Sequence, residues 1–224
     1  KPEGYTFQNR FVGNYLLYGT GSGWGYPQQK DSSHLYAVNW NNGNLNDLKL
    51  THGVDRIEQM GSDAVVIGTN GQDLFFSPIS LSDGPNVRKS YIRKNASQGE
   101  LRSHGFFYKP DGEGSGIIGL PIASEGRAGY RHLIENSASI IFIRNEGLKF
   151  EPLGELESQV TSTNDNCKAS CVDWYGNARP IFIHGRVFAL LGYEIVEGNL
   201  NDSRILERRR INFSKRTLPR YMSE

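Results

Sequence analysis

Five histidines, two cysteines and a recurring basic residue are where chemistry would begin in this chain. His34, His52, His104, His132 and His184 include no H-E-x-x-H or other close pair, so the convergent ligands of a catalytic metal are not written in the spacing. A Ser-His-Asp set assembles from distant positions and leaves no spacing signal. The G-x-S-x-G nucleophile elbow is missing as well. Cys167 and Cys171 stand four apart with no neighbouring His to complete a zinc pattern. Their C-x-x-x-C spacing is one residue longer than a thioredoxin-type pair. A local disulfide and two free thiols both remain open on the residues alone.

Gly19-Thr20-Gly21-Ser22-Gly23-Trp24-Gly25 has the glycine density of a phosphate-binding loop, but it runs into Tyr26-Pro27-Gln28-Gln29. No helix start follows and no Lys-Ser/Thr ends it, both of which nucleotide loops require. It reads as a connection between strands, with Trp24 and Tyr26 offering aromatic surface to a partner. The Asp/Asn/Gly clusters at 39–47, 111–116 and 164–166 lack the EF-hand order. Turn formation accounts for them, because these side chains tolerate left-handed backbone and bond their own main chain. No metal and no cofactor are assigned.

The elements that must position these groups are strands. Leu35–Trp40, Ala64–Ile67 and Ser139–Ile143 are short, rich in β-branched or aromatic residues, and bounded by Gly, Asn, Asp or Ser. With 224 residues, 37% hydrophobic and a formal charge of +1, the chain suits one domain with a sizeable core and no overall pull toward nucleic acid. No apolar run approaches the roughly 20 residues of a membrane-spanning helix.

The strands repeat. Tyr15-Leu16-Leu17-Tyr18-Gly19-Thr20 returns as Ala64-Val65-Val66-Ile67-Gly68-Thr69, as Gly116-Ile117-Ile118-Gly119-Leu120, and as Val187–Leu191 closed by Gly192. The closing glycines are 49, 51 and 73 residues apart. A spacing near 50 matches one four-stranded propeller blade, and the last gap matches a blade with an insertion. The expected fold is all-β, with four four-stranded repeats at roughly 5–51, 52–94, 99–157 and 174–214, forming a propeller or part of a larger one. In the fourth repeat the third strand is expected at 204–213, with no fourth strand after it. The alternating segment Gly4–Gln8 is expected to end a blade whose beginning is absent, leaving the first and fourth repeats apart.

Arg10, Arg56, His104 and Arg179 stand at or near the start of each repeat's first strand. That strand lines the channel of a propeller, so the four would make a partial basic ring for an anion or an acidic side chain. The competing reading is that each ties one blade to the next. The basic tail at 204–220 reads as a charged edge strand followed by a loose terminus.

On Ser103, His104, Phe107, Tyr108, Pro110 and Asp111, followed by Gly119-Leu120-Pro121-Ile122, the chain resembles the bacterial and archaeal secreted proteins with a C-terminal β-propeller domain. The stretches at 73–91, with Ser82-Asp83-Gly84-Pro85 at its turn, and at 177–198 are similar to the same family's blades. The resemblance covers most of 50–215 and contains no catalytic motif. It implies a secreted, periplasmic or cell-surface location, a bonded Cys167–Cys171 pair, and a chain made of the C-terminal blades of a longer propeller. The expected function is a non-enzymatic exported scaffold holding another protein, a surface or further blades through its loop face, with homo-oligomerisation possible. The alternative is a hydrolase or lyase at the channel mouth, using His104 with Asp111 or Asp173.

Overall fold

The computed structural model describes residues 6–21, 33–124, 139–159, 178–201 and 203–213. They are all-β, organised as four antiparallel sheets. The first contains β1 (Phe7–Val12), β2 (Tyr15–Thr20), β3 (Ser33–Asn39) and β4 (Leu45–Leu50), paired in chain order. The second contains β5 (Arg56–Met60), β6 (Asp63–Thr69) and β7 (Leu74–Ser80), with β7 also pairing the short pieces β8 (Asn86–Val87) and β9 (Tyr91–Arg93). The third is β10 (Ala96–Gln98), β11 (Phe107–Gly112), β12 (Ser115–Ser124), β13 (Ser139–Glu146) and β14 (Lys149–Glu157), in which β10 and β11 both pair β12. The fourth is β15 (Ala178–Ile183), β16 (Arg186–Leu191), β17 (Glu194–Leu200) and β18 (Ile205–Asn212). Among the described residues no helix is long and apolar enough to cross a membrane.

Turn chemistry sets each hairpin. Between β15 and β16 both central residues, His184 and Gly185, have positive φ (48° and 73°), the backbone of a type I′ turn whose twist matches paired strands. His184 is thereby a turn residue.

Period-2 alternation then gives every sheet two faces, and three apolar clusters join the sheets in series. Leu17, Leu35 and Ala37 of the first sheet pack on Ile57, Ala64, Val66 and Ile79 of the second. The opposite face of the second sheet, with Val65, Ile67, Leu74 and Phe76, packs on Ile118, Leu120, Ile122 and Ile141 of the third. Ile117, Ile140, Phe142 and Leu156 on the third sheet's other face meet Ala178, Val187, Ala189 and Val196 of the fourth. Among the described residues no apolar cluster joins the first sheet to the fourth.

Several expectations need correction. Phe7 and Gln8 do not end a separate blade: they begin β1 and pair Thr20 and Gly19 of β2. The fourth repeat has four strands, because Glu194–Leu200 is its third and Ile205–Asn212 its fourth. The strand was hidden by buried Glu194 and Glu197, which arginines neutralise: Arg210 donates to Glu194 at 2.9 Å, and Arg186 to Glu197 at 2.9 Å. Gly192 lies beyond β16 in the turn that follows it, with φ +62°. His104, expected at or near the start of the third repeat's first strand, sits in a 3-10 turn at Ser103–Gly105, and that strand starts at Phe107.

Candidate functional site

The first strands and the turn before β11 gather most of the polar chemistry. Arg10, expected at a strand head, is the fourth residue of β1 and does not share the register of Arg56 and Arg179. Arg10 on β1 reaches across to the second sheet, donating through Nε to the Ile57 carbonyl at 3.1 Å and pairing through Nη2 with Glu58. Arg56 on β5 is 5% exposed and spends its whole guanidinium inside the protein. Its Nη1 donates to Glu58 Oε1 at 2.9 Å and its Nε to Gln98 Oε1 at 2.9 Å. Its Nη2 donates to the carbonyls of Glu100 (3.0 Å) and Arg102 (2.8 Å), in the segment that leads into the third sheet. Burial lowers the Arg56 pKa, and Glu58 and Glu100 oppose that shift. Glu58 therefore serves two arginines, one on each oxygen. Arg10 and Arg56 are sheet-to-sheet ties.

The other two basic residues share an open cleft of about 490 Å³ between the lead-in to β11 and the strand β15. Ser103, His104, Phe106 and Phe107 form one wall; Arg179, Pro180, Ile181 and Phe182 form the other. His104 Nε2 lies 3.7 Å from the buried carboxylate of Glu100. Arg179 is exposed and makes no hydrogen bond or ion pair among the described residues. The rings of Phe107 and Phe182 stack at 5.3 Å, and Lys109 Nζ stands 5.9 Å from the Phe182 centroid. A cationic rim over an aromatic floor suits a carboxylate attached to a flat or apolar body.

Asp111, the acid paired with His104 in the catalytic alternative, is placed differently. It lies toward the far end of β11, accepts from Ser115 Oγ at 2.8 Å and pairs with Arg144. Partial burial pushes its carboxyl up, and the Ser115 and Arg144 bonds outweigh that and hold it below its usual range. Asp173, Cys167, Cys171, Trp24, Tyr26 and His132 lie outside the described residues. Among the described residues no three His, Cys, Asp or Glu side chains converge on a point as a metal would require.

Sequence reading alone did not single out Glu58, Glu100 or the Phe107–Phe182 pair. A signal existed for the first: Arg56 and Glu58, two apart on a strand, must share a face. The aromatic pair brings together residues 75 positions apart in two sheets, and only the packing of sheet on sheet reveals it. A second polar network was also missed. His52, buried against Phe75, joins Ser77 and Ser90 in a chain of hydrogen bonds.

No family model matches this chain, and no curated protein matches its sequence.

Proposed function

We propose that the four sheets are blades of a β-propeller and that the chain is an exported, non-enzymatic scaffold. On this reading it grips an acidic group of a partner protein in the cleft between His104 and Arg179. The observation that carries the proposal is the contrast between equivalent arginines. Arg56 and Arg179 hold the same register, opposite Ile67 of β6 and Leu190 of β16, each four residues beyond the turn-adjacent pair. Arg56 is consumed by four internal acceptors, three of them beyond its own sheet, whereas Arg179, at the rim of the cleft and opposite Leu190 on the fourth sheet's outer face, has none among the described residues. An exposed cation beside stacked aromatic rings, ready to pair, is a binding feature. The resemblance to secreted propeller proteins supports the exported setting.

The probe is benzoate, a carboxylate on a flat apolar body, set against acetate at equal ionic strength. Benzoate is expected to raise the melting temperature more than acetate. Arg179→Gln should remove that difference while Arg10→Gln keeps it. An equal response of the parent and Arg179→Gln to the two anions rejects the cleft.

One observation favours the second reading, a hydrolase: His104 lies within ion-pair reach of Glu100 with Ser103 beside it on the same cleft wall. Turnover of nitrophenyl esters that disappears in His104→Ala and in Ser103→Ala would establish that reading in place of the scaffold.

A further inference from the structure

The two ends of the sheet series carry faces that fit each other. Counted from the residue after each first hairpin turn (Tyr15, Asp63, Ser115, Arg186), Ala64 and Val66 of β6, Ile118 of β12, and Val187 and Ala189 of β16 lie one or three positions on. All of them pack against the preceding sheet. Leu16 and Tyr18 of β2 occupy those same positions with no preceding sheet among the described residues. Residues two or four positions on, namely Leu17, Val65, Ile67 and Ile117, pack against the following sheet. Phe188 and Leu190 of β16 hold those positions with no following sheet among the described residues. The outer face of the first sheet and the outer face of the fourth are thus the two halves of an interface this chain already builds three times.

Each face carries one apolar row with polar neighbours beside it. On the first sheet Phe11, Leu16, Val38 and Leu45 are direct cross-strand neighbours, with Phe11 63% and Leu45 57% exposed. Beside them Tyr18 and Tyr36 stack at 5.2 Å. On the fourth sheet Leu190, Ile195 and Ile211 are neighbours in the same sense, with Ile211 56% exposed, and Arg179 heads that row opposite Leu190, so the second copy would cover it too. Arg186 and Arg209 sit in that face, where Arg186 already stacks on Phe188 at 4.7 Å. Arginines on one face and exposed aromatic rings on the other are complementary.

We infer that these faces are covered by a second copy of the chain, the fourth sheet of each copy stacking on the first sheet of the other to close a two-fold ring of eight sheets. The inference rests on the blade reading proposed above. Area selects the closed form. A four-stranded face about six residues long measures roughly 400 Å² from strand spacing and rise. One face-to-face contact therefore buries roughly 800 Å² in total, below the roughly 1,200–2,000 Å² of stable interfaces, while the two contacts of a closed dimer bury roughly 1,600 Å². Eight blades lie within the range that propellers use.

The test is the solution mass of the chain by light scattering at tens of micromolar. The expected parent is a dimer of two 25.1 kDa chains. Phe11→Glu and Ile211→Glu, both at exposed positions on opposite end faces, should each give monomers with unchanged circular dichroism. Leu45→Lys serves as a second first-face variant, and Leu101→Glu, exposed elsewhere, should remain dimeric. A monomeric parent, a dimer indifferent to both end-face variants, or a mass that grows with concentration into filaments overturns the second copy as occupant. Cross-linking separates the levels: first-to-fourth-sheet cross-links inside a monomer refute the open series as well, whereas a monomer without them refutes the dimer alone.

Discussion

His52 Nε2, in the connection before β5, lies 2.7 Å from Ser77 Oγ on β7, and both side chains are buried. Nδ1 lies 2.8 Å from the Gly53 carbonyl, which only accepts, so Nδ1 carries the proton. Nε2 of the neutral ring must then accept from Ser77, whose oxygen is in turn 2.7 Å from Ser90 Oγ. Burial lowers the His52 pKa to about 4, against a smaller opposing effect of the Gly53 hydrogen bond. The fold holds the ring neutral.

The pH consequence follows from the sign. The unfolded chain protonates His52 near 6.5 and the folded one only near 4. Stability is therefore full above about pH 6.5, falls as pH drops through that window, and levels off below about pH 4. The loss from this group is about 3 kcal/mol. Denaturant unfolding at pH 7.5, 6, 5 and 4 measures it, and His52→Gln should flatten that part of the profile. An NMR titration placing the His52 ring near 6.5 in the folded protein would refute the account.

Gly119 gives a second prediction. A Cβ built there would lie 2.5 Å from Pro180 Cβ, across the contact between the third and fourth sheets. Alanine in a strand would ordinarily gain about 0.5–1 kcal/mol over glycine. Here the clash with a rigid ring should dominate, so Gly119→Ala is expected to destabilise by about 1–3 kcal/mol. The paired variant Pro180→Gly/Gly119→Ala, which removes the Pro180 Cβ as well as the ring, should recover part of it. A stabilised single variant would mean that the sheets separate more easily than their packing implies.

Arg56 supports a third. Four acceptors surround one guanidinium, and the three donors of a lysine ammonium on a differently shaped stem cannot serve them all. Arg56→Met should cost about 3–5 kcal/mol and Arg56→Lys a large part of that, because methionine removes the donor from all four acceptors and lysine from at least one. Chemical denaturation compares the two directly. Full rescue by lysine would reduce Arg56 to a point charge.

The repeated sheets were legible because their signal is local. Each hairpin has its turn residues and alternating strand within a dozen positions, as at Phe11-Val12-Gly13-Asn14-Tyr15. What failed was local too, but of another kind. Glu194 and Glu197 make β17 look too charged for a buried strand until Arg210, Arg186 and Arg208 arrive from neighbouring strands. The basic residues at the strand heads were visible by recurrence. Their division into ties and an exposed cation was not, because it depends on Glu58 and on the carbonyls of Glu100 and Arg102 in the connection between β10 and β11.

The last prediction concerns the arginine that completes β17. Arg210 on β18 donates through Nη1 to Glu194 at 2.9 Å, and through Nη2 to the Glu157 carbonyl of the third sheet at 2.9 Å and to Glu207 at 2.6 Å. Burial pushes its pKa down, but the bonds and charges of Glu207 and Glu194 outweigh this and raise it. One side chain therefore links β18 to β17 and the fourth sheet to the third. Glu194 also accepts from Ser158 Oγ and the Gln159 amide, both at 2.9 Å, so it keeps two donors if Arg210 is lost. The asymmetry fixes the expected order. Arg210→Met should cost about 3 kcal/mol, since it strands a buried carboxylate. Glu194→Gln should cost less, because the amide oxygen still accepts. The double variant should be less damaging than the sum of the two, with a coupling of about 0.5–3 kcal/mol. Additive losses in that cycle, measured by denaturant unfolding, would show that Arg210 acts only through the Glu157 carbonyl and Glu207, and that β17 owes nothing to the pair.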